Sequence, residues 1–165
     1  MQPIFIRPAV EADLPAILTI YNDVIANTTA VYTETPATVE DRFDWFRART
    51  GQGYPVLVAE DGGAAVGYAS FGDFRAWPGY RHTVEHSVHI RSDRQGRGVG
   101  KALVSALFPL AAALDKHVMI AGIDADNAAS LGMHERLGFT QAGRFSRVGR
   151  KFGRWLDLVF LQRFV

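Results

Sequence analysis

The feature that most constrains the fold is the stretch RQGRGVGKAL, residues 94–103, in which three glycines stand between a predicted strand and a predicted helix. Before it, side chains at 82–90 alternate between two faces, as in a strand. After it, leucines recur at helical spacing at positions 103, 107, 110 and 114, and Pro109 is expected to kink or interrupt that helix. The chain therefore passes directly from a strand into a helix.

A helix N-terminus at such a junction favours a bound anion. The first amides of the helix have no acceptors within the helix, and the helix dipole adds partial positive charge. The glycines allow positive φ and close approach of the backbone, and phosphate charge can be neutralised by Arg94, Arg97 and Lys101. The alternative interpretation is a glycine-rich turn with solvated cations.

Two familiar phosphate-binding loops fit this stretch poorly. A Walker loop needs serine or threonine after its lysine, whereas Ala102 follows Lys101. A dinucleotide-binding loop follows the first strand of a parallel unit, whereas this loop lies past the middle of the chain. A nucleotide hydrolase and a dinucleotide-dependent enzyme are therefore disfavoured.

The remaining patterns predict a mixed sheet with helices on its faces, the α/β class. Further strands are predicted at 4–7, 55–59, 66–71, 118–123, 141–148 and 155–164, with a tight hairpin turn at 61–63. Helix caps are predicted at Asp13, at Thr38 for a helix over 39–49, and at Asn127 for a short helix that Gly138 ends. We expect a single domain over 1–165, because no linker or repeat divides the chain.

Composition limits the partners of the protein. Its 165 residues carry 18 basic and 17 acidic side chains, so no overall field favours nucleic acid or a membrane surface. The absence of cysteine excludes a disulfide framework, a thiolate nucleophile and a cysteine-bound metal. The sequence contains no apolar run of about 20 residues, the length that a transmembrane helix needs. We expect a cytoplasmic protein that recognises its ligand locally.

Two motifs resemble the GNAT superfamily of N-acetyltransferases. Gln95-x-x-Gly98-x-Gly100 is similar to its pyrophosphate-binding motif, and residues 127–139, NAASLGMHERLGF, resemble its downstream helix. The segments TVEHS (83–87), GDFRA (72–76) and GRKFGRWLD (149–157) resemble the branch that acetylates phosphinothricin and methionine sulfoximine or sulfone. The resemblance covers nearly the whole chain and implies the GNAT fold, with helices on both faces of a mixed, mostly antiparallel sheet.

The same resemblance implies a homodimeric enzyme that transfers acetyl from acetyl-CoA to the α-amine of a small amino-acid analogue. Glu85 is then the catalytic base, acting directly or through water. His134 stands where the wider superfamily carries a tyrosine thought to protonate the leaving thiolate. Cofactor contacts are expected from Ser87, Val88, His89, Ile90, Gln95, Gly96, Arg97, Gly98, Val99, Gly100, Lys101, Asn127 and Ser130.

A zwitterionic acceptor needs a cation for its carboxylate, and arginine offers a bidentate fork. Arg75 is the first candidate, Arg81 the second, and Lys151, from the terminal hairpin, the third. The other predicted substrate contacts are Phe74, His82 and Thr83. No metal site is expected, because His82 and His86 share one face of the strand while His89 points to the other.

Three functions stay open on sequence grounds. The first is acetylation of methionine sulfoximine, methionine sulfone or phosphinothricin by direct transfer in a ternary complex, a detoxifying activity. The second is acetylation of another amine, either a polyamine or a protein N-terminus, although the charge of the loop 73–82 disfavours a polyamine. The third is a non-catalytic acetyl-CoA-binding module.

Overall fold

Seven β-strands and four α-helices form residues 4–165, the part of the chain that the computed structural model describes. The strands are β1 (Phe5–Pro8), β2 (Val56–Asp61), β3 (Ala64–Asp73), β4 (Thr83–Ile90), β5 (Val118–Asp124), β6 (Thr140–Lys151) and β7 (Arg154–Phe164). The helices are α1 (Leu14–Asn27), α2 (Val39–Gly51), α3 (Val99–Ala113) and α4 (Ala128–Arg136). The predicted α/β class is confirmed.

The sheet opens between two of its central strands. Its order is β1-β2-β3-β4-β5-β7-β6, and every neighbouring pair is antiparallel except β4 and β5. These two parallel strands pair only where Thr83–Glu85 meet Val118–Ile120, although both continue further. From His86 onward, the edge of β4 that faces β5 therefore has no strand partner among residues 4–165.

Each face of the sheet is covered by two helices. On one face, a core of α1 and α2 side chains packs on Val56, Val58 and Tyr68. On the other face, α3 and α4 pack on a larger core that includes Val84 and Met119. Because side chains alternate along a strand, the odd-numbered residues of β4 face α1 and α2, and the even-numbered ones face α3 and α4.

Local signals in the sequence set several element ends. Gly62 and Gly63 form the β2–β3 turn with φ of 61° and 82°, the positive values that a tight hairpin turn requires. Thr38 caps α2 by accepting a hydrogen bond from the amide of Asp41. Gly138 ends α4 with a φ of 85°. These predicted turns and caps are confirmed.

Two local predictions need correction. Asp13 occupies the predicted N-cap position of α1, but its side chain makes no cap, because its carboxylate accepts from the Arg7 guanidinium at 2.8 and 2.9 Å and from the Val10 amide. Pro109 does not interrupt α3, which continues to Ala113, so of the two predicted effects the interruption is wrong. Pro109 is exposed, so water can satisfy the carbonyl that loses its amide partner. No helix among the described residues is both long and apolar enough to cross a membrane.

Candidate active site

A cavity of about 430 Å³ lies where β4 and β5 separate. Residues 85–89 of β4 and 121–124 of β5 form its two walls. Helices α1 and α2 contribute Tyr21, Arg42, Trp45 and Arg49 from one face of the sheet, and the α4 segment contributes Asn127, Ser130 and His134. The cavity therefore reaches side chains from both faces through the gap in the sheet.

Glu85 lies at the point of divergence, on the face that α1 and α2 cover. Gly122 on β5 makes room for it, since a Cβ there would lie 3.0 Å from Glu85 Oε1. Gly72, the cross-strand partner of Glu85 on β3, lies under the Arg49 guanidinium, which leaves no room for a Cβ. Burial raises the pKa of Glu85, and the charge of Arg49 partly offsets that rise. A cleft carboxylate with a raised pKa is suited to accept a proton.

His134 approaches the gap from the opposite face, paired with His86. The two buried rings stack with centroids 5.0 Å apart, and their Nε2 atoms lie 3.1 Å apart. Nδ1 of His134 lies 2.7 Å from the carbonyl oxygen of Ser130, which assigns it the proton. His134 Nε2 then accepts from His86 Nε2–H, so His86 Nδ1 carries no proton.

This pairing has two consequences. Burial lowers the pKa of both rings, to about 3 for His86. Nδ1 carries the only proton of the His134 ring, so protonation of a thiolate by this ring requires the release of its hydrogen bond to Ser130. Nδ1 of His86, by contrast, is buried without a hydrogen-bond partner in the described part of the chain.

Unpartnered polar atoms concentrate at the cavity. Five buried side-chain nitrogen or oxygen atoms of the described residues lack a hydrogen-bond partner, and four of them belong to residues that line the cavity. They are Arg42 Nε, Arg49 Nε, the Tyr68 hydroxyl and His86 Nδ1. Buried polar groups without partners are costly, so this concentration favours a polar ligand.

The glycine loop has the geometry of an anion site. Gly96 and Gly98 adopt φ of 73° and 81°, and a Cβ at either position would meet open space. Gly98 occupies the N-cap position of α3, so the amides that follow have no acceptors within the helix. Arg97 and Lys101 are exposed, whereas Arg94 forms ion pairs with Asp61 at 3.0 Å and with Asp93 at 2.7 Å. The loop therefore fits a phosphate group without the help of Arg94.

The structure brings together one part of the predicted site. The predicted residues that line the cavity are Glu85, Ser87, Val88, His89, Asn127, Ser130 and His134. Ile90 ends β4, and Gln95, Gly96, Arg97, Gly98, Val99, Gly100 and Lys101 form the loop and the first turn of α3. Asn127 caps α4, as predicted, by accepting from the Ser130 amide at 3.1 Å.

The predicted substrate residues lie outside the cavity walls. They are Phe74, Arg75, Arg81, His82, Thr83 and Lys151. Arg75 is exposed and lies over the Phe74 ring, 5.6 Å from its centroid. Lys151 is fully buried and donates to the carbonyl oxygens of Thr28 and Val31 at 2.6 and 2.8 Å. Their roles toward a substrate stay predictions.

Sequence reasoning missed the wall that α1 and α2 contribute. Arg42, Trp45 and Arg49 recur at helical spacing on α2, but a charged stripe of this kind is typical of a solvated helix face and gives no signal of a pocket. Gly72 and Gly122, each inside a strand, signal that a side chain approaches the backbone closely. Among residues 4–165, no three His, Asp or Glu side chains are grouped to hold a metal ion.

Comparison with known proteins agrees with this architecture. The model of the acetyltransferase (GNAT) family matches residues 17–139. The L-methionine sulfoximine/L-methionine sulfone acetyltransferase of Pseudomonas paraeruginosa is 55% identical over 158 residues, which are 95% of this chain and 92% of that protein. The chain belongs to the GNAT acetyltransferase family, as its glycine motif and the segment 127–139 predicted.

Solved structures give the same result for the fold. The ribosomal-protein-alanine N-acetyltransferase from Brucella melitensis superposes with a TM-score of 0.96 at 49% identity, over 98% of this chain and 99% of that one. A phosphinothricin acetyltransferase from Sinorhizobium meliloti, in complex with AcCoA, gives 0.96 at 40% identity, over 99% of this chain and 89% of that one. The predicted GNAT fold is confirmed.

Proposed function

We propose that the protein transfers the acetyl group of acetyl-CoA to the α-amine of a small amino-acid analogue such as methionine sulfoximine, methionine sulfone or phosphinothricin. The cavity between β4 and β5 carries this proposal. It places the Glu85 carboxyl at a gap in the sheet, and β4 leads from that gap to the N-terminus of α3. The names of similar proteins supply the acceptor class.

The residues along β4 and α3 fit acetyl-CoA. The amides after Gly98 can bind the pyrophosphate, with charge from Arg97 and Lys101. The unpaired edge of β4 over Ser87–Ile90 can bond the amides of the pantetheine arm, as an added strand does. Asn127 and Ser130 face the same gap from the α4 side. Acetyl-CoA supplies the acetyl group as a thioester.

Glu85 prepares the acceptor for attack. Its carboxylate takes a proton from the acceptor amine, directly or through water, so that the nitrogen lone pair can attack the acetyl carbonyl carbon. The C–N bond forms, the C–S bond breaks, and the leaving thiolate takes up a proton. A free β4 amide polarises the carbonyl. If His134 supplies the proton to the thiolate, its Nδ1–H first releases the Ser130 carbonyl, because Nε2 carries no proton.

Acceptor-dependent release of thiol from acetyl-CoA tests the proposal. The protein has no cysteine, so a chromogenic disulfide reports the coenzyme thiol without background from the protein. We expect release with methionine sulfone, methionine sulfoximine or phosphinothricin, and little with spermidine or an alanine-terminated peptide. Release with the peptide alone would identify a protein N-terminus as the acceptor. No release with any acceptor, despite acetyl-CoA binding, would favour a non-catalytic module.

A homodimer is part of the same proposal. Within the described residues, β6 is an edge strand that pairs with β7 alone, and most of its residues are exposed. Large apolar side chains stand out from this hairpin, including Phe145 at 54% and Trp155 at 58% exposure. Exposed large apolar side chains on an edge hairpin favour a protein partner. Sedimentation analysis of Phe145→Glu against the unmodified protein tests it, and a wild-type monomer would refute it.

A further inference from the structure

A half-buried arginine lies beside Glu85 in the cavity. Arg49, on α2, lines the cavity, and its guanidinium covers Gly72 on β3 so closely that a Cβ there has no room. Gly72 is the cross-strand partner of Glu85, and such partners are about 5 Å apart on one face of a sheet. The charge of Arg49 acts on the pKa of Glu85, as this proximity requires. The cation and the proposed base therefore share one corner of the cavity.

The charge of Arg49 is not paired by any carboxylate of residues 4–165. Its Nε atom is buried without a hydrogen-bond partner, and its guanidinium forms no ion pair with the described acidic residues. Asp73, which follows Gly72 on β3, bonds instead to the Tyr54 hydroxyl and to the Gln52 amide. An arginine stays charged when it is buried, and a buried cation without a partner is costly. The position of Arg49 therefore favours an anionic ligand.

The separation of Arg49 and Glu85 matches the amine and carboxylate of one α-amino acid. Glu85 extends toward β5, where its Oε1 lies 3.0 Å from the position of a Cβ at Gly122, whereas Arg49 lies over β3. These two strands flank β4 and are about 10 Å apart, at about 4.8 Å per strand. Two hydrogen bonds and the N–Cα–C–O atoms of an α-amino acid together span roughly 9 Å. An acceptor whose amine lies at Glu85 therefore brings its carboxylate within reach of Arg49.

We propose that Arg49 binds the α-carboxylate of the acceptor while Glu85 takes a proton from its α-amine. The inference rests on the proposed function and adds how the site selects α-amino acids. The planar guanidinium can donate two parallel hydrogen bonds to a carboxylate, which fixes the α-carbon and turns the amine toward Glu85. An amine without a carboxylate leaves the Arg49 donors unpartnered, which is how a polar site rejects such an analogue. Arg75, the first sequence candidate for this contact, is exposed and lies outside the cavity walls.

An acceptor without the carboxylate tests the inference. 3-(Methylsulfonyl)propylamine has the amine and the side chain of methionine sulfone but no carboxylate. The ratio of kcat/KM for methionine sulfone to kcat/KM for this amine is expected to fall about tenfold or more in Arg49→Gln. A change in the pKa of Glu85 acts on both acceptors alike, so the ratio isolates the carboxylate contact.

Two other arginine variants complete this measurement. Arg47→Gln, at an exposed position of the same helix, is the matched control and should keep the wild-type ratio. Arg75→Gln should also keep the wild-type ratio, because Arg75 lies outside the cavity walls. An unchanged ratio in Arg49→Gln would overturn the inference, as would a loss in Arg75→Gln alone, which would assign the carboxylate to Arg75.

Gly72→Ala covers the case in which Arg49→Gln does not fold. Its Cβ displaces the Arg49 guanidinium, the end of a flexible side chain, without removing the charge from the protein. We expect the same fall in the ratio of the two kcat/KM values. Gly143→Ala, whose Cβ meets open space, is the matched control and should keep the wild-type ratio. A folded Gly72→Ala variant with the wild-type ratio would contradict the inference.

Calorimetric titration of both acceptors in the presence of CoA measures the contact without turnover. Binding of methionine sulfone that is weakened in Arg49→Gln, with binding of the amine unchanged, supports the inference even where acetylation fails. This result separates the inference from the proposed function. Equal weakening of both acceptors, or no binding of methionine sulfone to the wild type, would overturn it.

Discussion

The buried pair of His86 and His134 predicts how stability depends on pH. Burial lowers the pKa of His86 from an ordinary 6.5 to about 3. In the unfolded chain the same ring takes up a proton as the pH falls below 6.5, while in the folded protein it stays neutral. The unfolded state thus binds more protons between these two values, so stability is lost as the pH falls through that window.

The magnitude follows from the two pKa values. Between pH 7 and pH 5 this one ring accounts for about 2 kcal/mol of lost stability, at 1.36 kcal/mol per unit of separation. The folded pKa lies well below 5, so the result depends almost entirely on the unfolded value. His89, whose pKa burial lowers to about 4, adds a similar loss in wild type and variant alike.

His86→Gln isolates the effect, because a glutamine amide can still donate to His134 Nε2 but does not titrate. Urea unfolding followed by tryptophan fluorescence at pH 7 and pH 5 gives the stability difference for each protein. We expect the difference to be about 2 kcal/mol smaller in His86→Gln than in wild type. His117→Gln, at an exposed ring, is the control and should behave like wild type. An unchanged pH dependence in His86→Gln would refute the assigned burial of a neutral ring.

Three further predictions concern the site and its support. Gly122→Ala places a Cβ 3.0 Å from Glu85 Oε1 and 3.3 Å from Phe160, so we expect kcat to fall roughly 100-fold while the affinity for acetyl-CoA stays unchanged. Gly143→Ala, whose Cβ meets open space, is the control and should leave both values unchanged. Normal turnover in Gly122→Ala would contradict the placement of Glu85. Gly98→Val forces a branched side chain into a φ of 81°, so calorimetry should show acetyl-CoA binding weakened about tenfold. Gly79→Val is the control and should bind acetyl-CoA as the wild type does. Wild-type affinity in Gly98→Val would show that the loop is not part of the cofactor site. Lys151→Met leaves the Thr28 and Val31 carbonyl oxygens without their donor, so we expect urea unfolding to show a free energy of unfolding lower by about 2–3 kcal/mol. An unchanged urea midpoint would contradict this role of Lys151.

The elements that local chemistry determines could be predicted from the sequence. The glycine loop, the Gly62-Gly63 turn, the Thr38 and Asn127 caps and the Gly138 stop each depend on the conformational preferences of one or two residues. Glu85 and His134 could be named because each falls inside a motif. Their positions on opposite faces of the gap in the sheet could not be predicted, because these positions depend on where β4 and β5 stop pairing.

The α2 wall of the cavity is the part of the site that the sequence predicted least. Arg42 and Arg49 look like solvated helix charges until the tertiary fold places them over Tyr21 and Gly72. At Asp13 a contact with β1 replaces a local one, because the carboxylate of this N-cap residue bonds to Arg7 instead of to the amides of the helix. Long-range contacts decided these positions, and local propensity carries no information about them.

The proposed mechanism depends most on Glu85, the base at the gap between β4 and β5. The most direct test measures kcat for methionine sulfone acetylation by Glu85→Gln and by wild type, with acetyl-CoA affinity determined by calorimetry on the same samples. We expect kcat to fall about 100-fold or more, the scale of a lost general base, while the Kd for acetyl-CoA stays within about twofold. Unchanged turnover in Glu85→Gln would contradict the account.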